Sequence, residues 1–412
     1  MPLIRPFTGL RPLPDRAADL AAPPYDVLSS SEARKRAVGH PWSFLHVSKP
    51  EIDLPEDVNP SDPEVYAKGA ENLRRLLDEG LLIRDQHPCY YLYRLVMGNH
   101  CQTGIAAAAS VEAYDRNRIR RHEFTRPDKE EDRVRHIDTL NAQTGPVLLS
   151  YRPSEEIDSL VAKLCRSPAN VDITLDGVRH TLWVISAEQD TRQITELFEQ
   201  VGDLYIADGH HRSAAASRVA SLRRASNPDH TGDESYNFFL AVIFPCNRLQ
   251  ILDYNRVITD LNGLSPQSFL RSVSRFFRIE PGTEAIKPEK PGEFGMYLHD
   301  QWYRLQILAD HIPANDPVAR LDASLLSTYI LGPVLGIHDL RRDRRIDFVG
   351  GIRGLAELEK RVDSGEMTVA FSLFPTRMED VMAVADAGEV MPPKSTWFEP
   401  KLADGLISHI LD

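Results

Sequence analysis

No C-x-x-C pair, no apolar run approaching ~18 residues and no glycine-rich phosphate loop occurs in this chain of 412 residues. Each absence removes a class of protein. The four cysteines, Cys89, Cys101, Cys165 and Cys246, are widely scattered. That spacing suits neither a zinc knuckle nor a dense disulfide framework, so reduced thiols in a cytoplasmic protein are the expectation. Without a long apolar run no membrane span is expected, and Met1 to Pro6 has no apolar stretch of the signal-peptide kind. Positive charge is also short: 48 Lys and Arg stand against 60 Asp and Glu, a net charge of −12. A general nucleic-acid binder needs a basic face, so nucleic acid is not an expected partner. Walker A and G-x-G-x-x-G are both missing, which excludes a P-loop and a Rossmann site. So is H-E-x-x-H: after His122-Glu123, Arg126 stands where the second histidine belongs. No dedicated metal site is expected.

What is present is concentrated in Leu204-Tyr205-Ile206-Ala207-Asp208-Gly209-His210-His211-Arg212, followed by Ser213-Ala214-Ala215-Ala216-Ser217. An apolar strand breaks at Gly209 and a helix begins at once, with small residues that let it pack closely. Glycine tolerates the backbone angles of such a corner. The free amides of a new helix attract anions, and an arginine adds planar, paired donors suited to phosphate. Adjacent histidines on a regular helix point roughly a hundred degrees apart, which argues against one shared metal ion. Phosphate chemistry fits better: Gly209 and Arg212 toward phosphate oxygens, His210 or His211 toward the transferring group, Asp208 as an orienting carboxylate.

The rest of the chain reads as α/β with mixed sheets, in which hairpins alternate with strand–helix units. Three regions are expected: 1–150, an N-terminal α/β part; 151–262, the core around the corner; and 263–412, a C-terminal α/β part with an extended Pro/Lys tail. Ser29 to Glu32 is a capping box, and Trp42 to Val47 reads as a strand. Hairpins are expected at 90–97/104–111 across Gly98-Asn99-His100, and at 171–175/178–184 across Asp176-Gly177. Asp190 is expected to cap a helix to Gln200, and Phe238 to Phe244 to be a central strand. Asp253-Tyr254-Asn255-Arg256 places polar groups at a strand end, where α/β proteins often hold ligands. The span Tyr114 to Thr144 is dense in charge and interrupted at Thr125-Arg126-Pro127, with few apolar anchors. It either lies solvated or lines a polar cleft. In the tail, Met391-Pro392-Pro393 holds the chain extended, and Lys394, Ser395 and Thr396 offer anion donors. A strap packed by Trp397 and Phe398 is the equal alternative.

The D-G-H-H-R corner resembles the signature of the ParB/sulfiredoxin superfamily, and within it the free-serine kinases, which phosphorylate L-serine from ADP or ATP. The whole chain resembles the prokaryotic domain-of-unknown-function family 1015. That resemblance rests on Pro23-Pro24-Tyr25-Asp26-Val27, Phe124-Thr125-Arg126-Pro127, Gln143-Thr144-Gly145-Pro146, Tyr205 to Arg212, and Met391 to Thr396. The kinase-like corner implies a ParB/sulfiredoxin-like core, with Asp208 to Arg212 against nucleotide phosphates and an upstream carboxylate as base. Asp26 and Glu123 are the candidates for that base. Magnesium with ADP or ATP would be the cofactor set, and a nucleotide or small phosphorylated ligand the partner. Three functions compete: a phosphotransferase or phosphohydrolase on a serine-like metabolite, a non-catalytic nucleotide-binding regulator, and a metal-assisted hydrolase using His122, Glu123, His136 and the histidine pair. Oligomeric state is left open.

Overall fold

The computed structural model describes residues 1–411. They form two compact units, residues 1–249 with 400–411, and Gln250–Glu399. The class is mixed α/β.

The larger unit is built on a nine-stranded sheet. Its strands are β1 (Ile4–Arg5), β2 (Tyr90–Met97), β3 (His100–Ser110), β4 (Ile119–Arg120), β5 (Val147–Tyr151), β6 (Val171–Leu175), β7 (Val178–Ile185), β8 (Leu204–Asp208) and β9 (Phe238–Pro245). The order is β4-β8-β5-β9-β3-β2-β7-β6, with β1 on β3. Both expected hairpins form. Met97 pairs with His100, and Leu175 pairs with Val178 around Asp176 and Gly177, both at positive φ. The apolar run of β9 is fully buried between β3 and β5. The sheet draws strands from both sides of residue 150, and the units divide at 249/250 and 399/400, so neither the 150 nor the 262 border is a unit boundary.

Its principal helices are α1 (Ser30–Ala37), α2 (Pro63–Asp78), α3 (Pro127–Leu140), α4 (Glu155–Leu164), α5 (Glu188–Gln200) and α6 (His210–Ser226). α1 starts with the full Ser29–Glu32 capping box. α5 begins two residues before Asp190, with Ala187 as cap, so Asp190 serves in the first turn rather than as the cap itself. Trp42 to Val47 is not a strand. Residues 45–48 form a helical turn in which Val47 and Ser48 bond back to the Phe44 carbonyl, and the Phe44 amide goes to Leu20. Short apolar runs do not discriminate strand from helix, and burial of Phe44, Leu45 and Val47 is satisfied by either.

The charged span also has more anchorage than its composition suggested. α3 starts at Pro127, where the chain was expected to break, and buries Arg133, Val134, His136, Ile137 and Leu140. Val134 and Ile137 pack on Ala215 and Val219 of α6. The 3.6-residue spacing gathers these few apolar groups on one face while Asp128, Glu131 and Asp138 face outward.

The smaller unit holds a six-stranded, wholly antiparallel sheet. Its strands are β10 (Tyr254–Ile258), β11 (Phe277–Gly282), β12 (Glu293–Leu298), β13 (Gln301–Ile307), β14 (Ile346–Gly350) and β15 (Val369–Leu373), in the order β11-β13-β12-β15-β10-β14. Asp253 follows directly on the short strand Gln250–Leu252, as expected, and Tyr254 to Arg256 open the buried strand β10. Gln250–Leu252 pairs with Trp397–Glu399, so Trp397 and Phe398 lie in a strand, close to the strap expected for the tail. Among the described residues no helix is long and apolar enough to cross a membrane.

Candidate functional site

β8 delivers the chain to the corner and Gly209 turns it. Gly209 has φ +102 and ψ 29, and α6 starts on the next residue. A Cβ there would lie 3.1 Å from Arg212 Nε and 3.3 Å from Val147 Cα, so both backbone angle and space demand glycine. No side chain caps the helix. Its first main-chain bond runs from the Ser213 amide to the Gly209 carbonyl at 3.0 Å, which leaves the amides of His210, His211 and Arg212 ahead of the ladder. Ser213, Ala214, Ala215 and Ala216 are all buried, as the small-residue run suggested.

Arg212 is not the open phosphate donor that sequence reasoning assigned. It is 8% exposed and donates Nη1 to the Pro146 carbonyl, while Nη2 stands 3.6 Å from Asp26 and 3.6 Å from Asp208. Burial works against its charge, but Asp26, Asp208, Tyr25 and Asp404 outweigh it and hold the guanidinium above its ordinary value. Motifs far apart in sequence thus converge on this one side chain. Tyr25 and Asp26 come from the Pro-Pro-Tyr-Asp-Val stretch and Pro146 from Gln-Thr-Gly-Pro. Gly145 leaves the room: a Cβ there would touch Asp404 Oδ1 at 3.4 Å and Arg212 Cδ at 3.5 Å. The hollow beside Arg212, lined also by Tyr25, Arg133, Thr144 and Gly145, is about 20 Å³, enough for one water.

Asp404 was missed in the sequence, where nothing but its place after Lys401 marked it. It is 1% exposed, with the Tyr25 amide close by and no hydrogen-bond partner for either oxygen among the described residues. Burial, aided by Asp26 and opposed by Arg212, raises its carboxyl to about 7.

The two histidines bind chain rather than point at an open site. His210 Nε2 accepts the His122 amide at 3.3 Å, and His211 Nε2 accepts the Arg126 amide at 3.0 Å. Being adjacent on a helix, they diverge, and each fastens a different point of the 121–126 loop. Both rings are held as the neutral form protonated at Nδ1. Burial drives His210 down to about 3 and also lowers His211. His122 packs edge-on to His210 at 4.4 Å and is itself pushed to about 3, first by burial and then by His210. Neither His210 nor His211 is therefore placed to serve as a protonated catalyst near neutral pH.

The open side of the corner carries acids and one lysine. Lys401 Nζ lies 3.2 Å from Asp208 Oδ2. Asp208 is desolvated, but Lys401, Arg212 and His210 together hold its carboxyl well below the usual range. Glu123 Oε2 is 3.8 Å from His210 Nδ1 on the loop the histidines hold, and Phe124 beside it is 64% exposed. Asp26, Glu123 and Asp208 are each about a third exposed (38, 35 and 32%). The structure thus brings together Asp26, Glu123, Asp208, Gly209, His210, His211 and Arg212, and adds Lys401 and Asp404. Lys394, Ser395 and Thr396 belong to the smaller unit. His136 gives its Nε2 to the Val47 carbonyl at 3.0 Å and does not join the corner. Among the described residues no three His, Cys, Asp or Glu side chains group as metal ligands.

Among solved structures, the chain is similar to a free serine kinase in complex with AMP, at 12% identity over 71% of this chain and 86% of that one, with a TM-score of 0.35. It is also similar to SbnI with a C-terminal truncation from Staphylococcus aureus, at 13% identity over 73% and 85%, TM-score 0.36. A conserved hypothetical protein from Pyrococcus furiosus matches at 12% identity over 75% and 96%, TM-score 0.34. No curated protein sequence matches. The model of the family described as a protein of unknown function, DUF1015, matches residues 4–324, most of the chain, and the chain belongs to that family.

Proposed function

We propose that the Asp208–Arg212 corner binds the phosphates of a nucleotide, ADP or ATP, and that the protein transfers a phosphoryl group to or from a small hydroxylated, serine-like metabolite. The observation that carries this reading is the start of α6, a 17-residue helix with no side-chain cap, flanked by the Asp208–Lys401 pair and by Glu123. Helix amides and an ammonium are the usual donors for phosphate oxygens. The roles follow from exposure and pairing. The amides of residues 210–212 and Lys401 take phosphate oxygens. Arg212 and the two histidines hold the corner and the 121–126 loop in place. Glu123 accepts the substrate hydroxyl proton as that oxygen forms its bond to phosphorus and the bond to the nucleotide breaks. Glu123 is preferred to Asp26 because Asp26 already neutralises Arg212, whereas the histidine beside Glu123 is uncharged. Magnesium arriving with the nucleotide would be held by its phosphates and one of the partly exposed carboxylates Asp26 or Asp208, the few protein ligands such ions commonly take.

The test is phosphorus NMR of the protein with ADP or ATP, magnesium and L-serine. A phosphorylated product that disappears in Glu123→Gln, with nucleotide affinity retained, supports the reading. The second reading is a nucleotide-binding regulator without turnover, favoured by the occupation of Arg212 and both imidazoles in structural contacts. Saturable binding with no product in any metabolite screen selects it.

A further inference from the structure

The smaller unit contains a buried cation that no acid neutralises. Arg256 is 1% exposed, yet its guanidinium meets only main-chain carbonyls, those of Tyr254 and Lys394, the latter at 3.0 Å from Nη2. Its Nε has no partner. Its flanks are aromatic: the guanidinium carbon lies 5.1 Å from the Phe348 ring centre and 6.0 Å from that of Tyr254. Burial lowers it to about 10, so it stays charged at neutral pH. A second cation shares the same ring, Lys394 Nζ at 5.7 Å from the Tyr254 centre. Lys394 is exposed and holds φ +61, a conformation seldom taken by a side chain of this kind, with its carbonyl turned onto Arg256. Neither cation forms an ion pair among the described residues. The nearest acid in sequence, Asp253, is taken by the Asn255 amide.

A buried charge without its counter-ion is strongly unfavourable, and strained backbone persists where a function requires it. We propose that Arg256 and Lys394 form a phosphate-binding site in the smaller unit. A phosphate monoester is the matching chemistry, because its two charges balance two unpaired cations where a carboxylate would balance one. Arg256 supplies donors from Nε and Nη, and Lys394 a point charge. Ser395 does not take part. Its hydroxyl goes to the Pro392 carbonyl at 2.7 Å and its own carbonyl accepts from Thr376 at 2.8 Å, which sets the path of the Lys394–Thr396 turn.

The experiment uses the full chain carrying Lys401→Met, which weakens the corner of the larger unit, and titrates inorganic phosphate by calorimetry. Phosphate still binds, Lys394→Met added to this background weakens it at least tenfold, and acetate at equal concentration does not compete. Equal phosphate affinity with and without Lys394→Met overturns the proposal, and competition by acetate overturns the assignment to phosphate. Arg256→Met serves as a second variant: it melts no lower than its parent in phosphate-free buffer and loses the phosphate-dependent rise in melting temperature. Retention of that rise overturns the role of Arg256. Failure of the corner to bind nucleotide leaves these outcomes unchanged.

Discussion

Asp404 stores a pH-dependent cost in the fold, and replacing it with asparagine should release that cost. The carboxyl rises from its ordinary 3.8 to about 7 because it is buried and because Asp26 adds to the repulsion that Arg212 only partly offsets. The sign follows from proton binding. The folded state holds the Asp404 proton more tightly than the unfolded state, so the penalty is absent below about pH 4, grows with pH, and is complete above about pH 7. A shift of this size corresponds to about 4 kcal/mol at pH 8.5 and about 2 kcal/mol at pH 5.5. Asp404→Asn keeps shape and removes the ionisation, so it should be more stable than the parent by about these amounts, with no gain near pH 4. Urea denaturation of both proteins across pH 4 to 8.5 reads the difference directly. A gain that does not vary with pH, or a loss at pH 8.5, would refute the reasoning, since either means that Asp404 is ionised without penalty beside Arg212.

Three other outcomes can be checked on the same protein. Arg212→Met leaves Asp26, Asp208 and the Asp404 site without their shared cation and should destabilise by about 3–5 kcal/mol at neutral pH in denaturant melts. Gly209→Ala meets a positive φ and two close atoms, so it should cost about 1–3 kcal/mol and lower the melting temperature without changing the secondary structure seen by circular dichroism. His122, His136 and His210 are all held near 3, first of all by burial. Their stabilisation is full above their unfolded value of about 6.5 and is lost as pH falls from there toward 3. Proton NMR of the ring hydrogens should therefore show no titration of these three between pH 5 and 8.

Local features of the chain were readable from sequence, and long-range ones were not. The capping box at Ser29, the Asp176-Gly177 turn and the Gly209 corner are each set by the conformational preferences of a few adjacent residues. Trp42 to Val47 shows the limit of that logic, because a short apolar run satisfies burial in either conformation. The unit boundaries were hidden because β3 pairs with β9, more than a hundred residues later, and only tertiary pairing joins them. The site was half legible. The residue types at the corner pointed to an anion, and four of the five family motifs marked segments that meet there, Met391 to Thr396 being the exception. Their roles changed in space: Arg212 closes on Asp26 and Asp208, and His210 and His211 take main-chain amides. Lys401 finds Asp208 across 193 residues. No periodicity or spacing announces such a pairing, because complementary charge in the folded chain decides it.

The account depends on phosphate being held at the start of α6. Calorimetric titration of ADP and of adenosine into the intact protein and into Lys401→Met tests this most directly. The account predicts saturable ADP binding, adenosine at least a hundredfold weaker, and at least a tenfold loss of ADP affinity in Lys401→Met. Equal affinity for ADP and adenosine, or an ADP affinity indifferent to Lys401, would contradict it.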